Sequence, residues 1–528
     1  MPLHEQDGAA GSVGAVVLNG LVLLVDVVAT SGAVAATRSR KAKVIAMAAL
    51  LSSASPDEIE IVTSYLGGAL RQRRTGLGWR AVSTLPPPAA EPSLTVLEVH
   101  AAFDAIAALG GAGSQAARSA AVADLFGRAT ADEQAWLRGV VTGAVRQGAL
   151  DALVQEAVAA AAAVPLAAVR RAAMLTGSTV AVAVAAFSGG LDTLEAFGLE
   201  VGRPVLPMLA SSAPDLPAAL AKASRGAGGE VAVDVKLDGI RIQVHRSGDV
   251  VRIATRTLED ITDRLPEVVE IARSLPASAF VLDGEALALD ADGRPRPFQE
   301  TASRTAQAAG VSVTPYFFDV LHVDGDDLLD SPGTVRMAAL ERLVPPEHRV
   351  PRLVTADPAA AADFLTESLR SGHEGVVVKN PTAPYDAGRR GSAWVKVKPV
   401  HTLDLVVLAV EWGSGRRHGW LSNIHLGARD PETGGFVMLG KTFKGMTDEM
   451  LAWQTQRFQE LEASRSSHVV QVRPEQVVEI AFDGVQRSSR YPGGMALRFA
   501  RVVRYRDDKL AAEADTIDLV REFFEHRG

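Results

Sequence analysis

One short stretch constrains this chain more than any other, because it alternates aliphatic and charged residues and then meets a glycine. From residue 231 to residue 237 every second residue is aliphatic, and Asp234, Lys236 and Asp238 take positions between and after them. Successive side chains on a strand point to opposite faces, so the spacing predicts a β-strand with one amine between two carboxylates on one face. Gly239 then permits a bend or a close approach by a ligand.

The alternation resumes after the glycine. Residues 240 to 245 alternate again, and Ser-Gly-Asp at 247–249 predicts a hairpin turn into a further strand at 250–254. Taken alone, a lysine with aspartates two positions away is also what an exposed strand uses for same-face charge pairing. The choice between a surface strand and a reactive site therefore depends on the residues downstream of this hairpin.

Four later elements carry charged groups at the ends of strand-like segments. Residues 280–287 read as a buried strand ending in carboxylates, and residues 316–321 have no charge until Asp319. The triple valine of 376–378 reads as an interior strand with Glu374 before it and Lys379 after it. Residues 392–399 alternate, which puts two lysines on one strand face, where they repel unless an anion such as a triphosphate lies between them.

The motif from Lys236 to Arg241 resembles the KxDGxR signature of the covalent nucleotidyltransferases, which comprise ATP-dependent DNA ligases, RNA ligases and capping enzymes. The later elements resemble the family's other motifs in the family's order, so chance similarity is improbable. By this resemblance, which covers about residues 30 to 520, the chain is identified as a member of the three-domain ATP-dependent DNA ligases. In that family the lysine attacks the α-phosphorus of ATP, and Lys236 is the implied catalytic residue.

The resemblance also implies the remaining site residues. Nucleotide-binding roles fall on Asp234, Asp238, Arg241, Arg256, Glu285, Phe318, Arg390, Lys396, Lys398, Arg498 and Lys509. Glu285 and Glu374 are the implied metal ligands, and the implied cofactors are ATP and Mg²⁺. Phe317 and Phe318 are adjacent, and the sequence leaves open which of them stacks on adenine.

The domain organisation is inferred from changes in periodicity together with the resemblance. Residues 31–200 are Ala-rich with helical spacing and predict an all-α DNA-binding domain, although a purely structural helical domain stays open. Residues 201–400 predict an α+β adenylation domain, and residues 401–528 predict a β-barrel OB-fold. Residues 1–30 are expected to form an extension. Gly435–Thr442 fits the Walker A expression, but its bulky apolar centre predicts a strand instead of a phosphate loop.

Two basic turns in the helical region are candidate DNA contacts. The residues are Arg71, Arg73 and Arg74 in the first turn and Arg146 in the second. Each comes after an amphipathic helical pattern, and the echo between them suggests two similar halves. A solvated basic helix end, favoured by the helix dipole, explains them as well as phosphate contact does.

The composition excludes several kinds of site and disfavours several classes of protein. The chain has 528 residues, no cysteine and a net charge of −8, which exclude structural disulfides and thiolate zinc sites and argue for local basic patches. The absence of cysteine also disfavours the NAD-dependent ligases, which carry a four-Cys zinc module. An apolar run at residues 13–28 contains Asn19 and Asp26 and comes after acidic residues, so neither a membrane span nor a signal peptide is expected.

The expected activity is the sealing of nicks in duplex DNA through lysyl-AMP and DNA-adenylate, by a cytoplasmic and monomeric enzyme. An ordinary lysine, with a pKa of about 10.4, is a poor nucleophile at neutral pH, and Mg²⁺ near the acids would favour its neutral form. RNA ligation or GTP-dependent capping is the alternative within the superfamily. A non-catalytic DNA-end-binding protein with a relict site is the alternative outside it.

Overall fold

The computed structural model describes residues 21–72, 74–111, 113–145, 151–224, 229–306, 310–386, 390–414 and 417–525, with the side chains of 305, 306 and 390 outside the description. The chain divides into two compact units, Met1–Leu206 and Pro207–Gly528. No helix in the described ranges combines the length and the apolar character needed to cross a bilayer.

The first unit is helical in its described part. Its helices are α1 (Leu24–Ala36), α2 (Arg40–Ser53), α3 (Ile59–Leu66), α4 (Val96–Ala108), α5 (Ser114–Gly127), α6 (Ala131–Val141), α7 (Asp151–Ala161), α8 (Leu166–Thr176) and α9 (Thr179–Glu195). One hydrophobic core includes Leu24, Tyr65, Phe103 and Leu137, all of them fully buried. A capping box begins α6, because the Thr130 backbone N–H donates to Glu133 Oε2 at 2.8 Å.

Two details of this unit correct the expectations from sequence. Val22 and Leu24 are buried in the core and the Val22 N–H donates to the buried Glu58 at 2.7 Å, so residues 22–30 belong to the helical unit and not to an extension. The amphipathic pattern before the first basic turn predicts a helix that runs to Leu70, but α3 ends at Leu66, because Gly67 and a left-handed Gly68 (φ 74°) terminate it. Arg71 and Arg74 therefore lie in the loop after α3, and Arg73 lies outside the described residues.

The second unit begins with two sheets and their covering helices. The strands are β1 (Leu209–Ser212), β2 (Val231–Lys236), β3 (Ile240–Ser247), β4 (Val250–Thr255), β5 (Ala279–Leu287), β6 (Thr314–Val323), β7 (Asp326–Asp327), β8 (Arg352–Thr355), β9 (Gly375–Lys379) and β10 (Arg390–Val397). The helices are α10 (Leu216–Ala223), α11 (Pro266–Ser274), α12 (Phe298–Ala306), α13 (Gly333–Leu343) and α14 (Pro358–Arg370).

The two sheets are joined where the first motif bends. One five-stranded sheet has the order β1-β10-β9-β2-β8, and the other has the order β4-β3-β5-β6-β7. Lys236 is the last residue of β2 in the first sheet and Ile240 is the first residue of β3 in the second. The predicted hairpin is confirmed, since Ser247 pairs with Val250 in the antiparallel β3–β4 ladder. The chain thus crosses between sheets at residues 237–239, immediately after the lysine.

The rest of the second unit is rich in antiparallel sheet. It contains β11 (His401–Trp412), β12 (Leu421–Arg429), β13 (Phe436–Thr442), β14 (Glu462–Arg465), β15 (Val469–Val472), β16 (Val477–Phe482), β17 (Gly484–Arg487), β18 (Met495–Arg498) and β19 (Arg501–Tyr505), with helices α15 (Asp448–Glu460) and α16 (Ile517–Glu525).

The C-terminal sheet is built around one long strand. β11 pairs with β12 on one side and with both β15 and β16 on the other, and β16 pairs in turn with β19. The described pairings do not close this sheet, so the barrel part of the OB-fold expectation stays a prediction. Gly435–Thr442 is confirmed as a strand, β13, rather than a phosphate loop.

A buried histidine of β3 makes this fold sensitive to acid. Burial, with smaller contributions from Arg252 and His322, lowers the pKa of His245 from 6.5 to about 4. The unfolded chain therefore binds a proton between these pH values that the folded chain does not. We expect the free energy of unfolding to decrease by up to about 3 kcal/mol as the pH falls through this range.

Thermal unfolding of the parent protein and of His245→Gln, each at pH 7 and pH 4.5, checks this expectation. The variant should lose less stability on acidification than the parent, because glutamine does not titrate. Equal losses in the two proteins would show that other groups cause the acid sensitivity.

Candidate active site

A cavity of about 210 Å³ in the second unit is lined by strands from both five-stranded sheets. Several residues named from the sequence line it: Asp234, Lys236, Arg241, Arg256, Glu285, Phe318 and Lys396. These residues are far apart along the chain, and the two sheets bring them together. Arg256 is the exposed member of the set and lies after β4.

The Lys236 amine is held by a glutamate from the neighbouring strand. Its Nζ donates to Glu374 Oε2, and the side chains are 18% and 12% exposed. Burial alone would raise the pKa of Glu374, but Lys236 first, and then Lys398 and Arg498, bring it below the ordinary value. The glutamate is therefore ionised at neutral pH beside the amine.

Two motif glycines are explained by close approaches of the backbone. Gly375, opposite Lys236 in the β2–β9 ladder, has φ 141°, and a Cβ there would lie 2.2 Å from the Val397 carbonyl oxygen. A Cβ on Gly239 would lie 2.3 Å from the Ala286 carbonyl oxygen. Both distances are too short for any side chain, so a larger residue would push apart the strands that form the cavity.

The two aspartates of the first motif have partners other than the lysine between them. Asp234 is 2% exposed; it accepts from Arg352 at 2.5 and 2.7 Å and forms an ion pair with Lys379 at 2.6 Å. Burial opposes the charge of Asp234, but Arg352 and Lys379 lower its pKa below the ordinary value. A strand buried on both faces rules out the exposed charge-pairing strand that the sequence left open.

Asp238 points toward the two-stranded β17–β18 sheet, which is separate from the sheet around β11. It accepts from Arg498 Nη1 at 3.0 Å, and Arg498 is the last residue of β18. The predicted placement of Asp234 and Lys236 on one strand face agrees with the cavity that both line, whereas Asp238 comes after the strand. Glu374, distant in sequence, replaces the two aspartates as the partner of Lys236 because β9 lies beside β2.

Glu285 is a carboxyl group whose charge is poorly compensated. Burial raises its pKa to about 7, against the opposing influence of Arg241 and Lys236, and Asp238 adds to the rise. Its Oε1 accepts from the Gly239 N–H at 3.2 Å. No group of three or more potential metal-ligating acids, histidines or cysteines occurs among the described residues.

Arg241 is anchored by a buried polar network. Its guanidinium donates to both oxygens of Asp283 at 2.7 and 2.6 Å and to the Met208 carbonyl oxygen at 3.1 Å. The Tyr385 hydroxyl donates to Asp283 at 2.6 Å and accepts from the Met208 N–H at 3.0 Å. Burial first, and then Asp283, raise the pKa of Tyr385, so the phenol stays protonated. This network fixes one wall of the cavity.

The two adjacent phenylalanines have different environments. Phe317 is fully buried in the core of the second sheet, whereas Phe318 lines the cavity. The Phe318 ring packs edge-on against Trp394 at 5.9 Å, and Lys379 and Arg241 lie 4.6 and 4.9 Å from its centroid. Phe318 is therefore the phenylalanine of the pair that a ligand in the cavity can reach.

The basic residues expected at the phosphates are dispersed. Lys396 lines the cavity, but Lys398 donates to Asp483 at the end of β16. Lys509 donates to Asp404 of β11 at 2.5 Å and is held within the C-terminal sheet. Of the C-terminal basic residues expected at the nucleotide, Arg498 contacts the first motif and Lys509 is held away from it.

The remaining named residues lie elsewhere or outside the description. In the first unit Arg71 pairs with Glu60 at 2.8 Å on the surface, and Arg74 is exposed. Arg73 and Arg146 lie outside the described residues, and so does the side chain of Arg390, whose backbone begins β10.

Sequence reasoning assigned no role to several residues of the cavity and of the buried networks beside it. Arg352 and Tyr385, which belong to these networks, have no local pattern that separates them from ordinary surface or core residues. Trp394 and Lys379 were noted only for their strand positions. A carboxylate inside an apolar strand, as at Asp283, was the available signal, because such a group requires a buried cation as partner.

Comparison with known proteins gives consistent matches along the chain. Residues 79–159 match a family model for the DNA ligase N terminus, residues 207–398 one for the ATP dependent DNA ligase domain, and residues 417–509 one for the ATP dependent DNA ligase C terminal region.

Relatives and solved structures extend these matches. A probable DNA ligase of Nocardioides sp. is 76% identical over 511 residues, covering 96% of this chain and 100% of the relative. A probable DNA ligase of Kineococcus radiotolerans is 69% identical over 502 residues, covering 94% and 99%. The solved structure of Pmar-Lig_PreS3 shares the fold at a TM-score of 0.60 and 16% identity, covering 91% of this chain and 99% of that one.

Proposed function

The chain belongs to the ATP-dependent DNA ligase family, and from this membership we propose that it seals nicks in duplex DNA through an AMP bound to Lys236. The observation that carries the proposal is one cavity lined by Lys236, Glu285, Phe318 and Lys396, with Glu374 on the amine. A nucleophile, carboxylates, an aromatic ring and a cation are the groups that nucleotidyl transfer from ATP requires.

In the first step the adenylyl group of ATP is transferred from an oxygen of pyrophosphate to the nitrogen of Lys236. The Lys236 amine, after losing a proton, forms a bond to the α-phosphorus of ATP, and the bond from that phosphorus to the bridging oxygen of pyrophosphate breaks. Glu374 orients the amine through its hydrogen bond. Lys396, and then Lys398 and Arg498, are the proposed partners of the phosphate oxygens, because cations stabilise the charge that builds up on the leaving group.

The proposed metal site consists of Glu285 and Glu374 together with phosphate oxygens of ATP. Mg²⁺ typically uses one or two carboxylates plus substrate phosphates, so this small donor set fits the ion. The raised pKa of Glu285, about 7, supports the assignment, because it indicates a buried carboxyl whose charge Arg241 and Lys236 compensate only in part. When bound, the cation would neutralise the acids and favour the neutral amine.

The base and sugar of ATP would occupy the cavity. Phe318 is the proposed stacking residue, and a base–aromatic stack contributes roughly 1–3 kcal/mol. Asp234 and Arg241 would shape the pocket through their buried networks. Arg256 and Arg390 are proposed at the sugar and phosphates, and Lys509 is proposed to act only after release from Asp404.

The two later steps use DNA. AMP passes from Lys236 to the 5′-phosphate of a nick, and the 3′-hydroxyl then forms the phosphodiester bond and displaces AMP. Arg71, Arg73, Arg74 and Arg146 are proposed phosphate contacts of the helical unit. Because phosphate contact supplies most non-specific affinity, their effect should weaken with salt. We propose a monomer that acts in the cytoplasm, where bacterial DNA is found.

A substrate comparison tests the proposal. The parent protein is incubated with nicked DNA or nicked RNA, with ATP or GTP, and with Mg²⁺ or a chelator. Sealing is expected for nicked DNA with ATP and Mg²⁺, and mass spectrometry should detect one AMP on one lysine. Preference for RNA or GTP would favour the alternative nucleotidyltransferases, and absence of any adduct would favour a non-catalytic DNA-end-binding protein.

A further inference from the structure

The Asp483 carboxylate accepts a hydrogen bond from Lys398, a residue that the proposed function assigns to the phosphates of ATP. Asp483, which comes directly after β16, accepts from Lys398 Nζ with one oxygen and from Arg501 Nη1 with the other at 3.2 Å. The side chains of Asp483, Lys398 and Arg501 are 10%, 24% and 37% exposed. The Asp483 carboxylate thus bridges two cations, Arg501 of β19 and Lys398, the residue that follows β10.

This arrangement lies close to the reactive amine. Lys398 and Arg498 both act electrostatically on Glu374, the partner of Lys236. The Asp483 N–H donates to the Arg498 carbonyl oxygen at 3.0 Å, so the backbone joins the bridging carboxylate to the arginine that contacts Asp238. Asp483 and Arg498 therefore contact Lys398 and Asp238, respectively, from two positions that this backbone hydrogen bond joins.

The bridging carboxylate is charged at neutral pH. Burial alone would favour its neutral form, but Lys398 first and then Arg501 lower the pKa of Asp483. A phosphate group presents the same feature, several anionic oxygens that can be shared between two cations. A polyphosphate that binds Lys398 must therefore displace Asp483 or approach it against charge repulsion.

We propose that Asp483 competes with the β- and γ-phosphates of ATP for Lys398 and Arg501. The carboxylate holds both cations in the nucleotide-free protein and recaptures them when pyrophosphate leaves. It weakens the binding of ATP and pyrophosphate alike, and so favours pyrophosphate release after the lysine has taken AMP. The proposal rests on the proposed function and adds to it a specific competitor for the phosphates.

The decisive experiment compares the full-length parent with Asp483→Asn in enzyme-AMP formation. The KM for ATP should fall about five- to fiftyfold, and pyrophosphate should inhibit at concentrations lower by a similar factor, because a charge facing the phosphates is removed. Both differences should shrink as salt is raised. Asp483→Ser, which removes the same charge with a different side chain, should give shifts of the same sign.

Glu479→Gln is the matched control. Glu479 lies on β16 and pairs with the exposed Arg504 at 2.7 Å, so the variant makes the same change in net charge four residues before Asp483 in the chain. Its KM for ATP should equal that of the parent. A KM for ATP that is unchanged or raised in both Asp483 variants would overturn the proposal, since it would mean that the carboxylate only positions Lys398.

The outcomes separate this inference from the proposed function. Failure of the parent to form an adduct would contradict the proposed function itself. A normal adduct in the parent with unfolded Asp483 variants would show a purely structural carboxylate and would also overturn the inference.

Discussion

Replacing Lys236 with alanine is expected to reduce the rate of enzyme-AMP formation from labelled ATP at least about a thousandfold. The reason is geometric, because the reacting amine must lie within bonding distance of the α-phosphorus. The fold should persist, since Lys236 ends β2 and its partner Glu374 retains Lys398 and Arg498 as nearby cations. The measurement is gel or mass-spectrometric detection of the adduct, together with a thermal unfolding curve.

A matched control is Lys222→Ala, which removes an exposed lysine of α10 in the same unit. It should form the adduct at the rate of the parent. The Lys236→Ala protein should still join a nick that already carries a 5′-adenylate, because the last step does not use the lysine. A normal adduct in Lys236→Ala would refute the assignment of the nucleophile.

Replacing Asp234 with asparagine is expected to destabilise the second unit by about 3–5 kcal/mol, although the side chain keeps its size. Asp234 is the shared partner of Arg352 and Lys379, which are themselves buried. Removing one partner of a buried ionic cluster leaves the others uncompensated, and that desolvation cost is the main term. Urea unfolding monitored by tryptophan fluorescence measures the change.

Glu367→Gln provides the comparison for this effect. It breaks the pair between Glu367 and Arg370, which has the same chemistry at 2.7 Å but lies on the exposed surface of α14. Exposed pairs contribute little, so the unfolding midpoint should not change measurably. Similar midpoints for Asp234→Asn and the parent would mean that Arg352 and Lys379 find other partners in the folded protein.

Comparing these variants separates an effect on the reaction from an effect on stability within one motif. Lys236 and Asp234 are two residues apart on β2, yet one is expected to affect reaction and the other mainly stability. Both residues line the cavity, but Lys236 ends β2 beside Glu374, whereas Asp234 lies within the sheet and pairs with Arg352 and Lys379.

Local pattern was enough to predict the strands, and the order of the domains was predicted from periodicity together with the motif resemblance. Alternation over residues 231–245, the turn at 247–249 and the strand at 436–442 depend on side-chain periodicity, which is a property of neighbouring residues. The motif resemblance likewise named Lys236, Glu285, Phe318 and Lys396, and all four line the cavity. Helix ends were predicted less well, because Gly67 and Gly68 terminate α3 before the apolar pattern ends.

Only the tertiary structure determined which charged side chains form ion pairs. The sequence determined that Lys236 lies on a strand with one aliphatic face and comes shortly before a glycine. It did not determine that Glu374, rather than Asp234 or Asp238, holds the amine, or that Asp483 bridges Lys398 and Arg501. Ion pairs form between groups that strand order brings together, and strand order depends on long-range pairing, which spacing along the chain does not encode.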